Sequence, residues 1–369
     1  MNKVNPNRRE FIKTSAGISI GTALQTINTR QTQAQTNRIK FAVIGLNHGH
    51  ITGQTKAVQR GGGELVSFFA KEPDLIAGFQ KQFPEAKLAR SEAEILEDKS
   101  IQLVVSASIP VERAALGVRV MKHGKDFMSD KPGITSLEQL AEVRKVQAQT
   151  KRIYSILYSE RLENPATVKA GELIKAGAIG KVIQTVGLGP HQVRPATRPE
   201  WFWDTKYYGG IITDIASHQF DQFLFFTSST QAEVVAAQVR NVNHPKYPNF
   251  EDFGDVMLRG NGGTGYIRVD WFTPEGLGTW GDGRLTVIGT EGFIEIRKNI
   301  DINVRKGGNN LYLVNQKETK YMDCSKEPTP YGTQLVDDIL NRTETAMPQA
   351  QCFLAAELSI KAQKMALKR

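Results

Sequence analysis

The sequence predicts an α/β protein in two parts: a parallel-sheet domain over 35–158, and an α+β domain over 159–325 built on a large, open, mostly antiparallel sheet. Helices over 326–369 close the chain and are expected to pack back on the first domain. Three observations carry this reading. From Ile39 to Leu157, short apolar runs alternate with helix-length segments, as in strands joined by crossover helices. The first run breaks directly into a glycine-containing turn, Gly45 to His50, and then a helix. After Arg161 the alternation gives way to strand-length runs with little helix between them. A chain of 369 residues is long enough for two cores.

Before the first strand, Asn7-Arg8-Arg9-Glu10-Phe11-Ile12-Lys13 precedes a weakly apolar run from Thr14 to Ile27, with small residues near Thr32-Gln33-Ala34. That is the pattern of a twin-arginine export signal over 1–34, the alternative being a basic tail. It predicts a periplasmic protein with no membrane anchor after cleavage, since no Cys lies near the cleavage site and the run is too short and polar to span. Five basic residues against Glu10 in this segment leave +5 of the formal +9 for the rest. No basic run, zinc spacing or aromatic-basic interleaving accompanies that charge, so a nucleic-acid partner is not expected. Cys324 and Cys352, the two thiols, sit in no metal or redox spacing, and no metal is expected. An oxidising compartment would permit them to pair without requiring it.

In chain order, the strand Ile39–Ile44 and the turn Gly45-Leu46-Asn47-His48-Gly49-His50 form the phosphate-binding opening of a Rossmann-type dinucleotide fold, where free N–H groups at a helix start face a pyrophosphate. Asn47 stands where a second glycine is usual, and its tolerance of left-handed geometry lets the turn form. Gly49 comes one residue before the usual third glycine. The next strand, Glu64–Phe69, ends at Ala70 and Lys71 instead of the acid that binds ribose hydroxyls in NAD sites. Lys71 either faces a 2′-phosphate, which keeps NADP beside NAD, or is solvated. Strand Leu103–Ala107, the run Ser108 to Arg113, helix Glu112–His123, strand Asp126–Met128, helix Leu137–Thr150 and strand Ile153–Leu157 complete the alternation. Lys131, in Ser129-Asp130-Lys131-Pro132, falls at the carboxyl edge of the sheet, where such sheets bind ligands. Beyond it come helix Ala166–Ala176, strand Lys181–Leu188, an aromatic loop with Trp201, Trp203 and Tyr207, and then strands Glu233–Arg240, Asp255–Leu258, Gly265–Trp271, Arg284–Ile288 and Gly292–Arg297. The final helices are expected at about Tyr331–Asn341 and Cys352–Leu367.

Between the aromatic loop and those strands lies Gly209-Gly210-Ile211-Ile212-Thr213-Asp214-Ile215-Ala216-Ser217-His218. Two glycines turn the chain into a helix for which Thr213 or Asp214 is the expected N-cap. Asp214 and His218, four apart, share a face that Asp221 continues. The pair is either a proton-transfer site or a helical ion pair. The Trp and Tyr side chains of the loop, with Trp271 and Trp280, either offer flat faces to a sugar ring or pack in a core or subunit interface.

These motifs together resemble the glucose-fructose oxidoreductase, inositol dehydrogenase and rhizopine-catabolism (Gfo/Idh/MocA) family, from about Ile39 onwards. The resemblance places a catalytic lysine at Lys131 within Asp130-Lys131-Pro132, and the family's Gly-Gly-x-x-x-Asp-x-x-x-His segment on Gly209, Gly210, Asp214 and His218. It matches Arg161 to a recurrent arginine opening the second domain, and it includes Gly180-Lys181-Val182. The chain departs from it at Asn47, at Ala70 and over Ser108 to Arg113, where the family runs Thr-Pro-Asn and ends in His. What it implies is NAD(P)-dependent oxidation of a carbohydrate or polyol hydroxyl. His218 would take the proton, Lys131 would stabilise the alkoxide and Asp214 would orient or share the proton. Gly45, Asn47, His48, Gly49, Lys71, Ser108 and Lys131 would bind the cofactor, and Arg161, Trp201, Trp203, Tyr207 and His218 the substrate. Export implies a cofactor carried with the folded protein and recycled within a redox-closed reaction, either hydride exchange between sugars or transient oxidation that permits cleavage. A non-catalytic carbohydrate-binding protein on the same fold is the other reading, and an open sheet face implies self-association.

Overall fold

Strand β1 (Ile39–Ile44) is buried at every position but Lys40, as expected of a strand covered on both faces. In the computed structural model, which describes residues 38–302, 305 and 307–368, it is central to a six-stranded parallel sheet. Its companions are β2 (Gly63–Phe69), β3 (Lys87–Leu88), β4 (Leu103–Ser106), β5 (Asp126–Asp130) and β6 (Tyr154–Leu157), in the order β3-β2-β1-β4-β5-β6. The order reverses between β1 and β4, so the carboxyl ends of these strands flank a crevice, with the end of β5 beside it. The expected export segment lies outside the described residues. The described residues belong to one compact unit.

The second sheet has eight strands: β7 (Val182–Pro190), β8 (Ala232–Arg240), β9 (Phe253–Gly260), β10 (Thr264–Asp270), β11 (Arg284–Gly289), β12 (Gly292–Arg297), β13 (Asn310–Asn315) and β14 (Thr319–Asp323). They lie in the order β14-β13-β12-β11-β7-β10-β9-β8, antiparallel except for the β7–β10 pair. The helix Ser217–Thr227 presses on this sheet, and a Cβ at Gly187 of β7 would meet Gln219 at 2.8 Å. On the other face alternate residues such as Met257 and Phe293 are exposed while Val256, Leu258 and Ile294 are buried. No described helix is long and apolar enough to cross a membrane.

One local expectation is overturned. The helix expected to start at Thr213 or Asp214 starts at Ile211, with Gly210 at the cap position, and is interrupted after Asp214 before resuming at Ser217. Gly209 and Gly210 sit at φ 88° and 91°, and a Cβ on Gly210 would fall 2.3 Å from the Gln363 side chain. Side chains distant in sequence take the place of a local cap: Ile211 N donates to Glu251 Oε2 at 2.8 Å and Ile212 N to Gln363 Oε1 at 3.0 Å. Both cysteines are free and buried.

Candidate active site

The turn after β1 is held by its backbone. Gly45 N donates to Phe69 O (2.9 Å), Ala107 N to Gly45 O (3.2 Å) and His48 N to Ala107 O (3.0 Å). Gly45 has φ 84°, and a Cβ there would meet Ser108 Cβ at 2.5 Å, so this glycine alone in the turn is sterically required. Asn47 is not left-handed, contrary to expectation; its Nδ2 donates instead to Glu72 Oε1 at 2.8 Å. Gly49 also has no steric demand, since nothing lies within 4 Å of a Cβ there. An acid, Glu72, does stand two residues beyond Ala70, and its other oxygen accepts from Lys71 N at 3.1 Å. A cavity of about 460 Å³ opens here, lined by Gly45, Asn47, Lys71, Glu72, Ser108 and Arg119 among others. Its steric and polar pattern fits the adenosine and phosphate half of a dinucleotide.

At the end of β5, Lys131 is buried and its Nζ donates to Asp214 Oδ1 at 2.8 Å, joining the two motifs across 83 positions. Asp214 therefore pairs with Lys131, not with His218 as the helical spacing suggested; the break after Asp214 is where the shared face is lost. Burial raises the Asp214 carboxyl, but the charge and hydrogen bond of Lys131, with the fields of His48 and Arg113, together hold the group below its usual range. Arg113, which sequence reasoning left without a role, is the buried clamp of this strand end. It donates to Ser108 O (2.7 Å), Lys131 O (2.6 Å) and Pro132 O (3.2 Å), and its Nη2 lies 3.3 Å from Asp130 Oδ2.

His48 and His50 reach the same carboxylate, each through Nδ1 at 3.0 Å. One donor atom each of His48, His50 and Asp130 lies within 4.8 Å of the others, a set chemically able to hold a divalent cation. The chain spacing of these residues hid that cluster, and Arg113 already places a positive charge on it. Burial raises the Asp130 carboxyl, yet the fields of His50, Arg113 and His48 hold it well below its usual range. Burial, with His50 alongside, lowers His48 to about 4.

Lys131 and Asp214 stand on the wall of a second cavity of about 370 Å³, which shares the 45–50 turn and the 108–113 segment with the first. His48, His191, Arg198, Trp201, Trp271 and Trp280 also line it. His191 and Arg198 were not anticipated, because they lie in an irregular loop with no spacing to read.

His218 does not line this cavity. It is buried with Nδ1 unpartnered, and burial lowers it to about 3 against the opposing field of Glu160. Glu160 is the carboxylate electrostatically coupled to it. Burial raises Glu160, but Lys298, whose Nζ donates to Glu160 Oε2 at 2.5 Å, together with the fields of His218 and His191 brings it down to about 2, and Gln219 Nε2 also donates to it at 2.9 Å. Three expected substrate residues lie elsewhere. Arg161 is committed to Asp221 in a buried two-point pair at 2.5 and 2.9 Å. Trp203 stacks on Tyr247 with ring centroids 3.8 Å apart, and Tyr207 is exposed beneath Lys206. Gly49 lines neither cavity.

The family model described as the GFO/IDH/MocA C-terminal domain matches residues 167–295. A crystal structure from Erwinia carotovora atroseptica SCRI1043, assigned as an oxidoreductase, is 46% identical over 89% of this chain and 98% of that one, with a TM-score of 0.86. Levoglucosan dehydrogenase, solved with NADH and levoglucosan, shares the fold at 16% identity and a TM-score of 0.73, covering 89% of this chain and 97% of that one. D-xylose dehydrogenase of Paenarthrobacter nicotinovorans is 26% identical over 129 residues, so that the alignment spans 34% of this chain and 33% of that enzyme. The domain match, the agreement over nearly the whole described chain and the Lys131–Asp214 pair converge: the chain belongs to the GFO/IDH/MocA family.

Proposed function

We propose that the protein is a nicotinamide-dependent oxidoreductase that withdraws hydride from a hydroxyl-bearing carbon of a carbohydrate or polyol. The observation that carries this is the 2.8 Å Lys131–Asp214 contact on the wall of a cavity contiguous in sequence with the Gly45–Ser108 cradle. A nicotinamide dinucleotide, when bound, supplies the hydride acceptor. The absent side chain at Gly45 lets Ser108 close on the turn, the cavity that both residues line would take the pyrophosphate, and the Glu72 carboxylate favours ribose hydroxyls over a 2′-phosphate, which makes NAD the better fit. Lys131 donates to the substrate oxygen as negative charge develops there. Asp214 holds that ammonium in place and accepts the hydroxyl proton at the wall; His218, a neutral imidazole with Nδ1 unpartnered, is the next base, which passes the proton on and does not retain it, since burial disfavours its charged form. The sugar dehydrogenases among its relatives support the substrate class.

The same reading includes export of the folded protein with its nucleotide bound. Association near ~10⁶ M⁻¹s⁻¹ and a dissociation constant of about 1 nM give a bound lifetime of only ~10³ s, so retention outside the cytoplasm requires tighter binding and a reaction that returns the cofactor to its starting state. It also includes self-association through the open face of the second sheet, where Met257 and Phe293 are exposed. The test is mass spectrometry of nucleotide released on denaturing protein purified from the periplasm without added cofactor. Stoichiometric NAD(H) is expected. No nucleotide, together with no binding on titration of NAD⁺ or NADP⁺, would overturn the reading.

A further inference from the structure

The cavity that holds Lys131 and Asp214 is unbalanced in charge. Of its cationic side chains, Lys131 is paired with Asp214 at 2.8 Å and Arg113 with Asp130 at 3.3 Å. Two more guanidinium groups, Arg194 and Arg198, come from the loop after β7 and meet neutral oxygens only. Arg194 Nε donates to Gln192 Oε1 at 2.6 Å, while Arg198 Nε and Nη2 donate to the carbonyls of Val193 (2.6 Å) and Gln192 (3.2 Å). Asp214, the carboxylate whose field reaches Arg198, is already engaged by Lys131.

Arg198 is not a loose surface cation. Its guanidinium lies over the rings of Phe202 at 4.4 Å and Trp271 at 5.0 Å, which fixes its plane. The backbone bonds occupy Nε and Nη2, so Nη1 has no partner among the described residues. A desolvated guanidinium without an anion is costly, and a rigid planar fork is the group best matched to a carboxylate or phosphate. A neutral sugar would leave that charge uncompensated.

We infer that this cavity takes a sugar or polyol bearing an anionic group, with Arg198 as its principal anchor and Arg194 as a second contact. The inference rests on the reading of the cavity as the substrate site. It places the acid group against the loop after β7 and the reacting hydroxyl against Lys131, in a cavity that Trp201 and Trp280 also line.

The experiment compares D-glucuronate, D-glucose 6-phosphate and D-glucose at low ionic strength, reading kcat/KM with NAD⁺ supplied and, separately, the thermal shift each sugar gives. At least one anionic sugar is expected to exceed glucose by about 10-fold or more in kcat/KM, the scale of one charge-assisted hydrogen bond. Arg198→Lys and Arg194→Gln should each reduce that preference, read as the ratio of anionic-sugar to glucose kcat/KM in the same variant. Arg194→Gln covers the case in which Arg198→Lys disturbs the loop. A preference for glucuronate over the phosphate, or the reverse, identifies the anion. Equal use of all three sugars, or a preference that neither variant alters, would overturn the inference while leaving the dehydrogenase reading intact. No turnover of any sugar, with an Arg198-dependent thermal shift from the anions alone, would overturn the dehydrogenase reading and keep the anion site. Neither turnover nor shift from either anion would overturn the inference.

Discussion

His218 shows how burial, more than identity, sets what a side chain can do. Desolvation costs the imidazolium more than Glu160 returns, so the group stays neutral down to about pH 3. As a base it needs the neutral form, and lowering its pKa moves the acid limb of the activity profile down. The expected kcat profile is therefore flat from pH 7 to pH 5, where an ordinary histidine base would have lost most of its activity, and His218→Ala should lower kcat by ~10²–10⁴. A fall in kcat centred near pH 6.5 would exclude His218 as that base. Arg161 illustrates the opposite error of reading a charged residue from its position. Its partner, Asp221, lies 60 positions away, and only the fold brings the two into a buried bidentate pair. Arg161→Ala should strand that carboxylate and cost about 3–5 kcal/mol, visible as a lower urea midpoint with an unchanged slope. Trp203 and Tyr207 were attractive as sugar platforms by composition alone; nothing in a sequence distinguishes an aromatic that stacks on Tyr247 from one that faces a cavity.

Among elements, those with strong periodicity were legible and those made by short or irregular chain were not. The parallel sheet follows from buried apolar runs separated by helices, and the helices Leu137–Thr150 and Tyr331–Asn341 have the predicted limits. The two-residue strand Lys87–Leu88 has no period to detect, and the loop carrying His191, Arg194 and Arg198 has none either. The β1 turn sits between these cases. Its glycine was recognised, but the role of Asn47 is a tertiary bond to Glu72, not a backbone conformation. Gly45→Ala tests the element as a unit. A methyl group 2.5 Å from Ser108 Cβ on a residue at φ 84° must displace the end of β4 or unwind the turn. The variant is expected to lose about 1–3 kcal/mol and to bind NAD⁺ at least 10-fold more weakly by calorimetry, while Gly49→Ala, with open space around the new Cβ, leaves both nearly unchanged.

On the scale of the whole molecule, the last helix, Gln349–Ala366, ties the two sheets together and supports the site from behind. At its start Gln349 bonds both the N–H (2.8 Å) and the C=O (3.1 Å) of Tyr154 in β6, and near its end Gln363 accepts from Ile212 N and donates to both oxygens of Glu251 at 2.8 and 3.0 Å. The expected packing of the C-terminal helices on the first domain is thus half of the arrangement. The other half reaches the Gly210–Asp214 turn that presents the carboxylate to Lys131. Because one rigid element satisfies buried polar groups of a strand of the first sheet and of the Ile211–Asp214 turn and Glu251 in the second domain, the two should unfold together in a single transition. Gln363→Leu removes the donors to a buried carboxylate and leaves the Ile212 N–H unpaired, each worth about 1–3 kcal/mol. At a few degrees per kcal/mol for a chain of this size, Tm should fall by roughly 5–10 °C. The transition should remain single, and kcat should drop because Asp214 is no longer held against Lys131. Calorimetry that instead resolved two transitions, with only the later part of the chain destabilised, would show that the sheets melt independently and that the helix decorates them without joining them.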